Sequence, residues 1–546
     1  MSDFNPLDRA KIPTHRSSFD LSSKKLFTAK VGEILPCYWQ IAIPDTKYRI
    51  SSDWFTRTVP VNTAAYTRIK EYYDFYAVPL RLISRSLPQS FTQMSDYMTS
   101  AASISTNSDM LSKVPYTTLQ KFDAILGSQF IESIDDVGLP AAYGAAKLLD
   151  MLGYGSFISN TNGNKASITA AYLGLTDVAD AENPLIYRVS QAVNLLPLFT
   201  YQKIYYDFYS NNQWEKHLAY TYNVDYWNGK DPLTVSGDML MLRYANYPKD
   251  YFMGMLPSSQ YGSVATLSGS SASVVDGTLP DKPGVEVNAD LSALSIRATE
   301  YLQRWKEVVQ FSSKDYSDQM AAQFGIKAPE YMGNHSHYIG GWTNVININE
   351  VVNTNLDAQD SQASVAGKGI GSNSGHTITY DCGAEHQVIM CVYHAVPMVD
   401  WDISGQAPQL TVTAISDFPQ PAFDQLGMQP VPALNLMNDR SRTADGSLGY
   451  NLRYWQWKSS IDTVHAGFRK ALAYQSWSAP LSGWDILSAS GTFVYRSMKV
   501  RPQQLNSIFL PQVSGSTSSV AYDQLLCNVN FQVYAVQNLD RNGLPY

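Results

Sequence analysis

Between Tyr450 and Lys470 the sequence sets Arg453, Lys458, Arg469 and Lys470 among Tyr454, Trp455 and Trp457, with Asp462 as the single acid of the stretch. Single-stranded nucleic acid is held by cations along its phosphates and by bases stacked on aromatic faces, a mode that tolerates any base order. The N-terminal stretch is basic as well, with Arg9, Lys11, Arg16, Lys24, Lys25 and Lys30 against Asp20. The cations of both stretches, together with Trp455 and Trp457, are expected to face nucleic acid. For the two tryptophans, core strands with solvated basic neighbours are an equal alternative.

Catalytic constellations are harder to assemble. Gly367, Gly369, Gly371 and Gly375 invite a phosphate loop, yet Ser372 and Ser374 stand where the third glycine of G-x-G-x-x-G belongs. A mobile loop is the expectation there. Neither a Walker A motif nor a G-x-S-x-G elbow occurs. His335 and His337, and His376, His386 and His394 near Asp381 and Glu385, carry groups that suit divalent ions. Their spacing matches no ligand motif, so ordinary polar or interface histidines are expected. Asp400 and Asp402 flank Trp401, but two carboxylates two apart on a strand share a face and do not straddle a substrate. No catalytic, cofactor-binding or metal-ligating residue is expected, and the chain does not read as an enzyme.

The surface of this chain needs something other than charge. Of its 546 residues only 16% are charged, where about a quarter is usual, while 36 Tyr and 11 Trp supply amphipathic rings of the kind enriched where protein surfaces meet. A Tyr-rich β core explains the same composition. The net charge of −8 argues against a general nucleic-acid binder, but the charge is uneven. Residues 123–182 are mainly acidic, the opposite of the basic stretch from Arg9 to Lys30; solvated charge runs are the commoner source of such asymmetry, and a shell with a basic inside and an acidic outside would also show it. Cys37, Cys382, Cys391 and Cys527 form no C-x-x-C pair and are expected to be free thiols. No secretory signal and no run of about 18 apolar residues is visible.

The elements that would position these groups are mostly strands. Glu71–Leu82, EYYDFYAVPLRL, packs Tyr72, Tyr73, Phe75 and Tyr76 ahead of Pro79, where a ladder must end. Short β-like runs separated by Pro, Gly, Asp and Asn fill residues 26–78, a rhythm that suggests a sandwich or barrel. Gln387–Val396 is apolar enough for a strand covered on both faces, and Cys527–Ala535 alternates cleanly. Helical spacing appears in Leu195–Leu218 and Leu294–Phe311. Residues 91–185 read as an insertion, and 257–290, dense in Ser and Gly, as an exposed loop. Residues 1–30 read as a basic arm. The expected organisation is that arm followed by a single domain, 31–546, with a discontinuous core (about 31–90, 370–420 and 485–540) and insertions at 91–190 and 191–350.

A wider set of motifs carries a resemblance. RSSFDLS at Arg16–Ser22, Pro60-Val61 and the strand closing in VPLRL come first. NLLPLFTYQKIYYDFYSNNQW at Asn194–Trp214, Arg243-Tyr244, Asp250-Tyr251-Phe252 and the Ser/Gly loop after Leu256-Pro257 follow. Then come the helix Ile296–Phe311, Phe324-Gly325, Pro329–Gly333, LGYNLRYWQWK at Leu448–Lys458, DQLLCNVN at Asp523–Asn530 and the closing GLPY at Gly543–Tyr546. In this order they resemble the major capsid protein of the Microviridae, the gokushovirus-like single-stranded DNA bacteriophages. Tyrosines replace most of the phenylalanines of that family's VPLRL strand, and residues 91–185 are longer than its pattern.

The resemblance implies a mainly β fold, an eight-stranded antiparallel jelly-roll barrel of viral capsid type, with long inter-strand insertions containing α-helices and loops. It implies a coat protein that self-assembles into a small T=1 icosahedral shell around a circular single-stranded DNA genome. Its place would be the virion, assembled in the host bacterial cytoplasm. Implied partners are further copies of the chain, the packaged DNA, an internal scaffolding protein, a DNA pilot protein, a small basic DNA-packaging protein and a host surface receptor. Ser258, Tyr261, Gly269 and Asp276 would lie on the surface protrusion or receptor loop. The alternative is a monomeric carbohydrate-binding or glycoside-cleaving β-sandwich protein, to which exposed Trp and Tyr are equally suited.

Overall fold

The computed structural model describes residues 15–61, 66–84, 87–88, 91, 114–128, 135–139, 141–155, 192–222, 232–265, 293–313, 315–326, 333–352, 365–403, 405–437, 446–470, 481–482, 498–505, 508–509 and 523–541. Ten strands make the barrel: β1 (Ser17–Asp20), β2 (Ser23–Ala29), β3 (Leu35–Ala42), β4 (Lys47–Thr58), β5 (Ile69–Pro79), β6 (His337–Val352), β7 (Val365–Ser374), β8 (Ile378–Asp381), β9 (Gln387–Pro397) and β10 (Leu525–Gln537). They occupy eight positions. β1 and β2 pair end to end along β10, and β7 and β8 do the same along β4.

Counting those positions in chain order, one sheet runs first, eighth, third, sixth, as β1/β2–β10–β4–β7/β8. The other runs second, seventh, fourth, fifth, as β3–β9–β5–β6. All these pairings are antiparallel, and β6 joins the sheets, its first part pairing β5 and its last part β7. This is the double Greek key of a jelly roll, the fold expected. Two long connections leave it, residues 80–336 between β5 and β6 and residues 398–524 between β9 and β10.

Alternation decides which face is inside. β4 exposes and buries its residues in turn, and β10 does likewise, so Tyr48, Ile50, Trp54, Val529, Phe531 and Val533 point into the barrel. Rings from the two sheets meet there: Trp54 against Tyr73 at 5.2 Å, Phe75 against Phe531 at 5.9 Å and Phe27 against Tyr393 at 5.3 Å between centroids. Each such pair adds roughly 0.5–1.5 kcal/mol beyond its burial. The buried Glu71 carboxylate ties three strands, accepting from Trp54 Nε1 (3.0 Å), Thr56 Oγ1 (2.7 Å) and Asn344 Nδ2 (3.1 Å). Burial raises its pKa, and those donors pull the other way.

The glycine-rich stretch is not the loop expected from its composition. Gly367–Gly371 lies in β7, whose inward positions sit against neighbours that leave no room for a side chain. A Cβ on Gly369 would run into Thr58 Cγ2, and one on Gly371 would meet the Glu71 carboxylate at 2.9 Å. Glycine therefore marks a close approach here.

β9 is buried along its whole length because the first long connection covers its outer face. Helix α1 (Leu119–Ser128) precedes α2 (Ala141–Met151), which packs on β3, and α3 (Leu196–Ile204) packs on β9 and β5. The helix expected over Leu195–Leu218 stops being α-helical at Ile204 and continues as a π turn, Tyr205–Tyr209. Farther along, α4 (Ala293–Phe311) fulfils the second helical expectation and leads to α5 (Tyr316–Phe324). The VPLRL exit of β5 becomes a 3-10 turn, and Arg81 there donates to both Glu385 oxygens at 3.0 Å and to the Gly333 carbonyl at 3.2 Å.

Candidate assembly surfaces and nucleic-acid interface

The seam between barrel and insertion is held by buried ions. Lys147 on α2 reaches Glu33 Oε2 at 2.5 Å and Asp523 Oδ2 at 3.1 Å, and Lys30 stands 3.7 and 3.8 Å from the same two carboxylates. Burial alone would raise the Asp523 pKa, but the Lys147 and Lys30 ammonium groups hold it below the usual value. A second knot joins Lys499 to Asp136 and Glu215, both at 2.7 Å, and to the Tyr205 hydroxyl. Lys30 must therefore be removed from the nucleic-acid-facing set, since it is 2% exposed and its charge is satisfied inside the fold.

A cleft of about 400 Å³ opens where the π turn crosses β9, lined among others by Tyr209, Asn246, Met255, Phe311, His394 and Met498. At its floor Tyr76 donates to the Tyr209 hydroxyl (2.9 Å), which donates to Asp74 Oδ2 (3.2 Å), while Tyr338 donates to Asp74 Oδ1 (3.3 Å). His394 lies 3.9 Å from Asp74 and stacks on Tyr72 at 4.7 Å. Burial pushes the Asp74 carboxyl up to about 6 and the His394 imidazole down to about 3. Both shifts are toward the neutral form.

The basic residues singled out in the sequence fall on separate elements. Arg9 and Lys11 lie outside the described residues. Arg16 is paired with Asp45 and Asn538, whereas Lys24 and Lys25 are exposed on β2. In the second connection Trp455–Trp457 forms a 3-10 turn after Tyr454, whose φ is +59°. Trp455 packs partly against the core, and Trp457 stands 42% exposed beside Phe418. Lys458 pairs with Asp424, Arg469 Nε lies 2.9 Å from the buried Asp402, and the Arg453 guanidinium lies 5.3 Å from the Tyr454 ring. Lys470 ends the helical turn Gly467–Lys470. The structure thus brings Trp455, Trp457 and Lys458 onto one turn, and it binds two of the four cations, Lys458 and Arg469, in ion pairs.

The loop residues divide in the same way. Ser258 donates to the Gln260 carbonyl at 3.1 Å and Tyr261 is exposed, while Gly269 and Asp276 lie outside the described residues. The histidines do not gather. His335 places Nε2 2.9 Å from the Asp207 carbonyl, the His376 carbonyl accepts from Trp342, and His386 stacks on Phe91. Among the described residues no group of three or more His, Cys, Asp or Glu is placed to hold a metal ion, and no helix is long and apolar enough to cross a membrane.

Two surfaces were not anticipated. One is apolar: the turns Pro408–Thr411, Ile415–Asp417 and Pro421–Phe423 hold Leu410 at 69% and Ile415 at 90% exposure, with Phe418, Phe423 and Leu426 also open. The other is the outer face of the first sheet, where Lys47, Arg49, Phe55 and Arg57 alternate with the inward residues of β4. The period of two in KYRISSDWFTRT was the available signal.

The family described as Capsid protein (F protein) matches residues 282–539, which take in β6 to β10. The capsid protein VP1 of Chlamydia phage 1 is 22% identical over 308 residues, covering 53% of this chain and 51% of that protein. The chain thus spans about half the length of the curated relative it matches. The likeness to microvirus capsid proteins carried by the sequence motifs is shown by these two matches.

Proposed function

We propose that this chain, similar to the microvirus capsid proteins, is the major capsid protein of a microvirus-like phage, building a T=1 icosahedral shell around circular single-stranded DNA. The observation that carries the reading is the apolar string of the second connection. Within one short segment Leu410, Ile415, Phe418, Phe423 and Leu426 all stand exposed, and large apolar side chains gathered on a surface mark interaction sites. Mounted on a jelly roll, which buries its own core and leaves its connections free for neighbours, that string suits contact between copies.

The rest of the proposal follows the family. The residues ahead of β1 would face the genome, since the rest of the expected arm, 17–29, is built into the barrel sheet as β1 and β2. The insertions at 91–190 and 191–336, the second shortened from 350 because β6 belongs to the barrel, would build contacts and protrusions around a single domain, and the loop 257–290 would meet a host receptor. Lys24 and Lys25, with Arg453 and Trp457, would carry the genome-facing role among the residues named from the sequence. Scaffolding, pilot and small basic packaging proteins would be its companions, in the host cytoplasm and then in the virion, and the protein would do no catalysis. Size-exclusion chromatography and negative-stain microscopy of the purified protein, alone and with the scaffolding partner, test the reading. Shells support it. Monomers under every condition would overturn it and favour the carbohydrate-binding alternative.

A further inference from the structure

The helices that pack on the barrel lie against the second sheet, so the first sheet turns its outer side to solvent. Along β4 that side shows Lys47, Arg49, Asp53, Phe55 and Arg57. Register fixes their neighbours: Arg49 is opposite Tyr534, Phe55 is opposite Asn528 and Ser372, and Arg57 is opposite Leu526 and Ile370. On the flanking strands Lys24 is opposite Asn530, and Lys368 is exposed on β7.

The charges on this face do not cancel. Lys24, Arg49, Arg57 and Lys368 have no acidic partner among the described residues, while Lys47 stands 3.5 Å from Asp381. Of the acids, Asp53 accepts from Gln532 at 3.1 Å and Asp20 is bonded by Ser22. A local excess of cation on a chain of net charge −8 selects a polyanion. The rest of the surface selects the kind. Arg57 lies 4.6 Å over the Phe55 ring, Tyr534 is half exposed, and Asn528, Asn530 and Gln532 offer amides between the rings and the cations. Arg49 and Arg57 are eight residues apart on one strand, about 26 Å, enough for several nucleotides. Among the described residues no helix packs on or projects from this face to enter a duplex groove, whereas unpaired bases can lie flat on partly exposed rings.

We infer that this face of the β2–β10–β4–β7 sheet is a platform for single-stranded nucleic acid. Its phosphates rest on Lys24, Arg49, Arg57 and Lys368, and its bases stack on Phe55 and Tyr534. The inference rests on the proposed role as a shell around single-stranded DNA, and it locates the contact on the barrel itself.

Fluorescence anisotropy with labelled oligothymidine tests it on the full-length, unassembled protein. Replacing Lys24, Arg49, Arg57 and Lys368 together by Gln should weaken binding at least about tenfold at low salt. It should also flatten the dependence of log K on log salt by roughly 3, at about 0.7 for each phosphate no longer neutralised. Phe55→Ala should weaken binding with the slope unchanged, and Lys249→Gln, a cation off this sheet, should change neither. Lys24, Arg49, Arg57, Lys249 and Lys368 are exposed and Phe55 is half-buried, so unchanged melting midpoints will show that the variants fold. A wild-type protein that ignores oligothymidine, or a fourfold variant with unaltered slope, overturns the platform. DNA content of assembled particles separates it from the shell reading. Empty shells from the variant uphold both, and binding through this face without shells ever forming removes the shell reading alone. Loss of shells with DNA binding intact makes the face a contact between copies and overturns the inference.

Discussion

Lys147 enters the barrel from α2, a helix of the first long connection, and finds two carboxylates already waiting: Glu33 between β2 and β3, and Asp523 just before β10. Removing one partner of a buried ion cluster leaves charge without compensation, so Lys147→Met should cost about 3–5 kcal/mol in urea unfolding. A loss near zero would mean that Lys30 alone balances both acids. Asp74 and His394 make a different prediction. A carboxyl whose folded pKa is about 6 against an ordinary 3.8 contributes stability that is present below about pH 4 and lost as pH rises to 6. An imidazole held at about 3 against an ordinary 6.5 contributes stability that is present above about pH 6.5 and lost as pH falls toward 3. The two slopes oppose each other between about pH 4 and 6. Asp74→Asn should lose stability more steeply than wild type on acidification through that window, and His394→Gln should do the reverse. Parallel urea-midpoint curves for the three proteins would refute the assignment. Neither cluster was legible in the sequence, because its members are hundreds of residues apart. Lys30 looked like one more basic arm residue until Asp523 stood beside it.

At the scale of elements, legibility followed period. Cys527–Ala535 alternates and became β10, QVIMCVYHAV lacks alternation and became the doubly covered β9, and the helical spacing of Leu294–Phe311 became α4. Glycine broke the reading at β7, since it has no side chain to carry a pattern and its statistical preference is for turns. The reason for those glycines lies across the barrel, in Thr58 and Glu71. Gly369→Val should overpack that contact and cost about 1–3 kcal/mol, measured by thermal or urea unfolding. An unchanged midpoint would show that Thr58 can move aside. The end of α3 was illegible for another reason. The tyrosines after Ile204 keep an apolar stripe, but the backbone widens into a π turn that sets Tyr205 on Lys499 and Tyr209 on Asp74.

Across the whole molecule, burial and exposure divide the work. The barrel and the inner parts of both connections form one continuous apolar core, while the turns around Leu410 and Ile415 in the second connection hold apolar residues outward. Ile415→Asp combined with Leu410→Asp should therefore leave the melting midpoint of the free subunit unchanged and sharply reduce shell yield in negative-stain images. Normal shells from this variant would show that the string does not join copies. The pairing of β10 with β4, β1 and β2 has a temporal side too. The second sheet has all its strands once the ribosome has passed Pro397, but the first waits for residues 525–537. Until then β4 offers an unpaired edge to whatever strand is near, and closure over so long a separation is slow. A polysome crowded with such half-closed chains is an aggregation hazard, so this fold favours a chaperone, or an early-binding companion, that shields the edge until the last strand emerges.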